Sequence, residues 1–193
     1  MVTLYLRLKY SMNLTGNLLI APPKVRGNFW EKSTIFLTEH SGRGAVGLVL
    51  NKPSQMSVSE FASQHNVNLD VKGFVHVGGP VNVKAFTMLH SSEWSCANTL
   101  RVNEQFSLSS SADILNNLAM GNVPKRWRIF VGLCGWTADQ LENELQGNPP
   151  YRHDSSWLIA TANHELVFGL NSQTQWTESI EHSGSEFAQS ILD

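Results

Sequence analysis

Apolar and polar positions along this chain follow two rhythms, and the change from one to the other is clearest between residues 129 and 148, IFVGLCGWTADQLENELQGN. Residues 129–133 form a continuous apolar run of strand length, the pattern of a strand covered on both faces. Beyond Thr137 the spacing lengthens: Leu141 and Leu145 fall one helical turn apart, and Asp139, Glu142 and Glu144 take positions that can stay in water. Thr137 followed three residues later by Gln140 is a capping-box pattern. The stretch therefore predicts a strand, a tight Gly132-Leu133-Cys134-Gly135-Trp136 turn, and a helix ended by Gly147 and by Pro149-Pro150.

The same punctuation divides the rest of the chain. Residues 17–21 read as a strand stopped by Pro22-Pro23, and residues 33–38 and 45–50 as a hairpin whose connection, His40-Ser41-Gly42-Arg43-Gly44, holds two glycines. Asn51-Lys52-Pro53 closes the second strand. Ser57 and Glu60 make a capping box that opens a helix to about His65, with Val58 and Phe61 inward. Residues 73–77, 84–90 and 99–102 are strand-like, and residues 111–120 are helical, with Ile114, Leu115 and Leu118 on one side and Gly121 as the stop. Residues 157–160 and 166–170 predict two further strands. From Gln173 the pattern is helical in two pieces around Gly184, with Trp176, Ile180, Phe187 and Ile191 as core positions. Several connections are too short for crossover helices, so the expected fold is α/β with α+β character: a mixed β-sheet flanked by helices.

Composition sharpens that picture. A chain of 193 residues, 41% hydrophobic with six Trp and nine Phe, can bury a core without a disulfide framework, and no apolar run approaches the length of about 20 residues that a membrane span needs. The N-terminal MVTLYLRLKY lacks the apolar length and cleavage site of a signal peptide. We therefore expect residues 1–11 to be an extension ahead of a start at Met12, and residues 12–193 to form one domain. Two cysteines, Cys96 and Cys134, fit a reducing cytoplasm better than a secreted scaffold. Residues 1–138 carry 13 Lys and Arg against 7 Asp and Glu, whereas residues 139–193 carry 1 against 9. Most of that split reads as unevenly charged solvated surface.

Candidate chemistry is sparse. The Cys134 string lacks the glycine two positions beyond the nucleophile that a nucleophile elbow needs, so Cys134 reads as a small core residue. The seven histidines form no metal-ligand spacing, and there is no P-loop or G-x-G-x-x-G, so no metal or cofactor is expected. His40 and His90 each end an apolar strand and precede a serine, and Asn51 ends a third strand. These three are the candidate pocket residues, against the simpler reading that each ring fixes its own turn. Lys125-Arg126-Trp127-Arg128 is the only basic cluster, and no helix is basic, which disfavours direct DNA binding. Trp136 is the candidate partner or interface anchor.

A set of strings in fixed order resembles the AlgH/YqgE family of bacterial proteins. They are Gly16-Asn17-Leu18-Leu19-Ile20-Ala21-Pro22, Gly44-Ala45-Val46-Gly47-Leu48-Val49-Leu50-Asn51-Lys52-Pro53, Gly78-Gly79-Pro80-Val81, Leu89-His90-Ser91, Gly132-Leu133-Cys134-Gly135-Trp136, Gln140-Leu141-Glu142-Asn143-Glu144 and Ser156-Trp157-Leu158. Two departures stand out: Cys134 occupies a position where the family usually has Ala or Ser, and residues 148–154 are longer than the family's usual link. The resemblance implies a mixed-sheet fold and a cytoplasmic bacterial protein, one branch of the family being named for regulation of alginate synthesis genes. It implies a non-enzymatic binding or regulatory role, with an unidentified protein or small molecule, or a second copy of the chain, as partner. The alternative is an enzyme that uses His40 and His90 as acid and base.

Overall fold

The computed structural model describes residues 13–192. The expected extension and the expected start at Met12 lie outside the described residues. In chain order the elements are β1 (Asn17–Ile20), β2 (Thr34–Ser41), β3 (Gly44–Val49), β4 (Pro53–Ser57), α1 (Val58–Gln64), β5 (Phe74–Val77), β6 (Val81–Ser91), β7 (Thr99–Arg101), β8 (Phe106–Ser109), α2 (Asp113–Ala119), β9 (Trp127–Thr137), α3 (Gln140–Gln146), β10 (Leu158–Thr161) and α4 (Gln175–Leu192). A 3-10 turn at His153–Ser155 and a π-helical turn at Glu165–Gly169 complete the list. The sheet runs β10-β1-β2-β3-β9-β6-β8-β7, with β5 paired to both β4 and β9. Every pairing is antiparallel except β5 with β9, so the sheet is mixed and flanked by helices, as the pattern of short connections predicts.

β9 is the seam. Along one edge it pairs with β6; along the other it pairs with β5 through Phe130 and Val131, and then with β3 from Cys134 to Thr137. The change of partner falls at Gly132, whose φ of 70° lets the chain kink without leaving the sheet. A Cβ on Gly132 would strike the Gly79 carbonyl, and one on Gly79 would strike the backbone of Leu133, so the connection between β5 and β6 approaches β9 here backbone to backbone through two glycines. The expected tight turn over residues 132–136 is therefore absent. Pairing of Gly135 with Val46 and of Trp136 with Ala45 keeps those residues extended, and long-range ladder bonds override the local glycine signal. The chain reverses three residues later than expected, at Asp139 with φ 60°. Only half of the predicted capping box forms: the Thr137 N–H donates to Gln140 Oε1 at 3.1 Å, but the Thr137 hydroxyl donates to the same oxygen instead of capping a helix N–H. The box at Ser57 and Glu60, in contrast, is complete.

Strand alternation sends Leu18, Ile20, Phe36 and Leu48 to one face and Leu19, Ile35, Leu37 and Val49 to the other. The first set packs under Trp176 and Ile180 of α4 and under Leu166 and Val167; the second packs against Leu141 and Leu145 of α3. A third cluster joins Val58 and Phe61 of α1 and Ile114, Leu115 and Leu118 of α2 to Met88 and Ile129. Complete burial of Phe36 and its neighbours contributes about 1.5–3 kcal/mol per side chain. Three further expectations are corrected. Residues 166–170 lie in the π-helical turn and beside it, not in a strand. α4 is continuous through Gly184. Phe187 and Ile191 are exposed: α4 buries Gln175 and Ser179 in its first half, while its second half meets the edge strand β10 through Glu186, which accepts from the Thr161 N–H.

Candidate functional site

A cavity of about 380 Å³ opens where the second face of the sheet meets α3. Its lining includes Trp30 from the loop before β2, Trp136 near the end of β9, Gln140 and Glu144 of α3, and Trp157 immediately before β10. These elements converge because Trp30, Trp157 and Trp136 all pack on the cluster of Leu19, Leu37, Leu141 and Leu145. Trp30 meets Trp157 edge to face, with centroids 5.9 Å apart.

Glu144 organises the cavity. The indole Nε1–H of Trp136 donates to its Oε2 at 3.0 Å, that of Trp157 donates to the same oxygen at 2.8 Å, and Gln140 Nε2 donates to Oε1 at 3.0 Å. Three neutral donors thus hold one carboxylate and fix the planes of two tryptophans. At the mouth, Tyr151, Arg152 and Ser155 complete the lining, and a shallow depression continues outward over Lys24, Arg26 and Arg152. Asp154 bridges Lys24 at 3.7 Å and Arg152 at 3.2 Å, leaving an excess of positive charge at the rim. Arg152 is the single Lys or Arg in the acidic segment 139–193.

Cys134 also borders the cavity, but its thiol donates to the Gly78 carbonyl at 3.3 Å, and burial pushes its pKa up to about 12. A thiol held in that form is a core group, as the sequence indicates.

The sequence-predicted residues stand elsewhere, apart from Trp136. His40 is paired with Ala45, which faces Trp136 on β9, whereas His90 faces Trp127. The strand between those two points spans about 30 Å. Leu14 N–H donates to His40 Nδ1 at 3.0 Å, so the neutral ring carries its proton on Nε2 and gives it to Glu142 Oε1 at 2.9 Å. His90 is fully buried. Its Nδ1–H donates to the Ser91 carbonyl, and Nε2 lies 2.9 Å from the Ser109 hydroxyl, which lies 2.7 Å from that of Thr99. Burial lowers the His90 pKa and favours the neutral ring. Asn51 accepts from Thr34 N–H at 3.0 Å and donates to the Lys32 carbonyl at 2.7 Å, pinning the start of β2. The structure therefore does not bring His40, His90 and Asn51 together, and none of them lines the cavity.

The basic cluster is dispersed as well. Arg128 turns inward, donating to the Leu50 carbonyl at 2.7 Å, and burial lowers its pKa to about 10. Trp127 packs against the α1–α2 cluster, so only Lys125 and Arg126 remain on the surface. Among the described residues no group of His, Cys, Asp and Glu has the arrangement of a metal site, and no helix is long and apolar enough to cross a membrane.

Trp30, Glu144 and Trp157 carried no signal of their own in the sequence. They are separated by up to 127 positions, and only the packing of α3 and of the segments before β2 and β10 on one face of the sheet makes them neighbours. Of the three tryptophans of the cavity, Trp136 is the one that the strand-to-helix stretch singles out.

Comparison with known proteins gives a consistent result. The family model described as AlgH-like (DUF179) matches residues 18–188. A UPF0301 protein of Shewanella denitrificans is 34% identical over 181 residues, covering 92% of this chain and 95% of the relative. One from an Azoarcus species is 33% identical over 183 residues, covering 93% and 94%. Among solved structures, the solution structure of the AlgH protein from Pseudomonas aeruginosa superposes with a TM-score of 0.72 at 29% identity, covering 90% of each chain. A Corynebacterium diphtheriae protein with a TM-score of 0.66 and 20% identity, covering 84% of this chain and 83% of its own, shares the fold.

Proposed function

The chain belongs to the AlgH-like family, and on that basis and the geometry of the tryptophan cavity we propose that it is a non-enzymatic binding protein whose regulatory effects are exerted through what it binds. The observation that carries this reading is the convergence of Trp30, Trp136 and Trp157 on one ligand-sized cavity around the Glu144 carboxylate. Ligand sites are concave, rich in aromatic side chains, and hold a few fixed polar groups, and this cavity has all three properties. His90 and Ser109 have the spacing of an acid–base pair, but both are fully buried, and the His40 ring is committed to Leu14 and Glu142. Their hydrogen bonds support structural roles for both histidines. Dispersal of the basic cluster supports an indirect route for any effect on transcription. Two free cysteines support a cytoplasmic setting for a domain running from residue 12 to residue 193.

The test is a screen of the full chain against metabolites and short peptides, read by the indole N–H signals of Trp136 and Trp157 in nitrogen-correlated NMR. A saturable shift of both signals that is lost in Trp30→Ala is expected. Binding that leaves both signals in place, or that Trp30→Ala leaves unchanged, would move the site elsewhere and sink the reading.

A further inference from the structure

We infer that the occupant of the tryptophan cavity is a nucleoside phosphate, with its base against the tryptophans and Glu144 and its phosphate at the Lys24, Arg26 and Arg152 rim. The inference rests on the binding reading above and names the chemistry it takes. Three features of the cavity must be met by one molecule.

The floor is an acceptor. A carboxylate offers about four lone-pair directions, and the Trp136, Trp157 and Gln140 donors fill three of them, two on Oε2 and one on Oε1. The remaining direction on Oε1 takes an N–H donor, and the fixed charge makes that bond stronger than a neutral one. An exocyclic amine or ring N–H of a nucleobase supplies it; a simple carboxylate, aliphatic acid or bare phosphate does not.

The walls are aromatic. Trp30 and Trp157 are each half-buried and border the cavity, so part of each ring is available to an occupant. Stacking on such a ring tolerates any base, because every base presents a π-face. The edge-to-face contact between Trp30 and Trp157 holds both rings in place before a ligand arrives.

The rim is cationic. Arg152 and Lys24 are largely solvent-exposed, and Asp154 bridges them without cancelling the rim, to which Arg26 adds a third positive charge. An anion outside an aromatic cavity with a carboxylate floor requires a ligand that carries its negative charge at the end opposite its N–H donor. A guanidinium at that position suits phosphate in particular, through paired N–H bonds. No glycine-rich phosphate loop takes part, which is why sequence motifs give no nucleotide signal here.

The experiment titrates the full chain with AMP, GMP, guanosine, ribose 5-phosphate and inorganic phosphate, following the Trp136 and Trp157 indole signals, and repeats each titration in Arg152→Ala. Saturable shifts with AMP or GMP are expected, at least tenfold weaker with guanosine and with ribose 5-phosphate, and at least fivefold weaker for the nucleotide in Arg152→Ala. Ribose 5-phosphate or inorganic phosphate binding as tightly as the nucleotides would reduce the site to an anion site and overturn the inference, and guanosine binding as tightly as GMP would remove the role of the rim. If the nucleotides leave both signals unmoved while another compound from the broader screen shifts them, this inference fails and the binding reading stands. If nothing shifts them, both fail.

Discussion

Trp157 donates its indole N–H to Glu144 across 2.8 Å, joining the residue that leads into β10 to the middle of α3. The same carboxylate oxygen accepts the Trp136 indole, so one side chain sets the relative positions of β9, α3 and β10. Trp157→Phe keeps most of the ring and removes the donor. A hydrogen bond to a charged group is worth about 1.5–3 kcal/mol when buried, and half exposure of Glu144 brings the expected loss below that range, to about 1 kcal/mol. Urea unfolding should show a lower midpoint at unchanged slope. An unchanged midpoint would mean that the bond contributes nothing beyond the packing of the rings.

His40 links segments far apart in the chain: Leu14 N–H at one ring nitrogen and Glu142 at the other. Replacing it with Phe retains the ring volume but leaves the Leu14 N–H in a buried position with its acceptor gone, which costs about 1–3 kcal/mol. Amide hydrogen exchange should report it locally. The Leu14 amide should exchange at least tenfold faster in His40→Phe, while amides in α1 stay within twofold of the parent protein. Equal acceleration everywhere would indicate global destabilisation and not a local anchor.

Much of the fold is legible in the sequence because its signals are local. The Ser57 and Glu60 box, the β2–β3 hairpin and the apolar stripe of α2 are set by residues within one turn or one loop of each other. β4 and β8 were missed because Pro53–Ser57 and Phe106–Ser109 are short and serine-rich, and they become strands only when β5 and β6 offer them ladder bonds. The run 166–170 fails in the opposite direction. Its apolar residues satisfy the core from a π-helical turn held by Gln175, whose amide donates to the Leu166 carbonyl at 2.7 Å. The cavity is the least legible part. A tryptophan has no periodic partner, and what makes Trp30, Trp136 and Trp157 a site is the Glu144 carboxylate that Trp136 and Trp157 share and the edge-to-face contact of Trp30 with Trp157, neither of which any spacing encodes.

Glycines at the strand crossing give a sharper test of the β9 seam. Gly132 has φ 70° and abuts the Gly79 carbonyl, whereas Gly135, three residues along the same strand, has open space where a Cβ would stand. Gly132→Ala should therefore destabilise by roughly 2–4 kcal/mol, since it combines an unfavourable φ with a backbone collision. Gly135→Ala should stay within about 0.5 kcal/mol of the parent. Thermal melts of the two variants side by side decide the matter: similar losses at both positions would refute the claim that the close approach at Gly132 is what requires glycine.

The pH dependence of stability should be dominated, between the ordinary histidine range and about 4, by His76. This ring is nearly buried on β5, its Nδ1–H donating to the Phe74 carbonyl at 3.0 Å, with Phe130 packed at 5.7 Å. Burial, and secondarily the Arg128 guanidinium, lowers its pKa from 6.5 to about 4. The unfolded chain therefore takes up the proton first as the pH falls. The stabilisation is complete above pH 6.5, declines from 6.5 to 4, and is gone below that, a loss on the order of 3 kcal/mol across the window. His90, lowered by burial, acts in the same direction. Glu60 and Glu93, both held below the ordinary carboxylate value of 4.5, add their losses only in stronger acid, so the upper part of the window isolates the histidines. Denaturant unfolding at half-unit steps from pH 7 to pH 4 should show this slope in the parent chain and a shallower one in His76→Gln, which keeps an N–H donor but cannot titrate. An NMR midpoint for His76 near 6.5, or equal slopes in the two proteins, would show that burial of this ring does not control the acid limit of the fold.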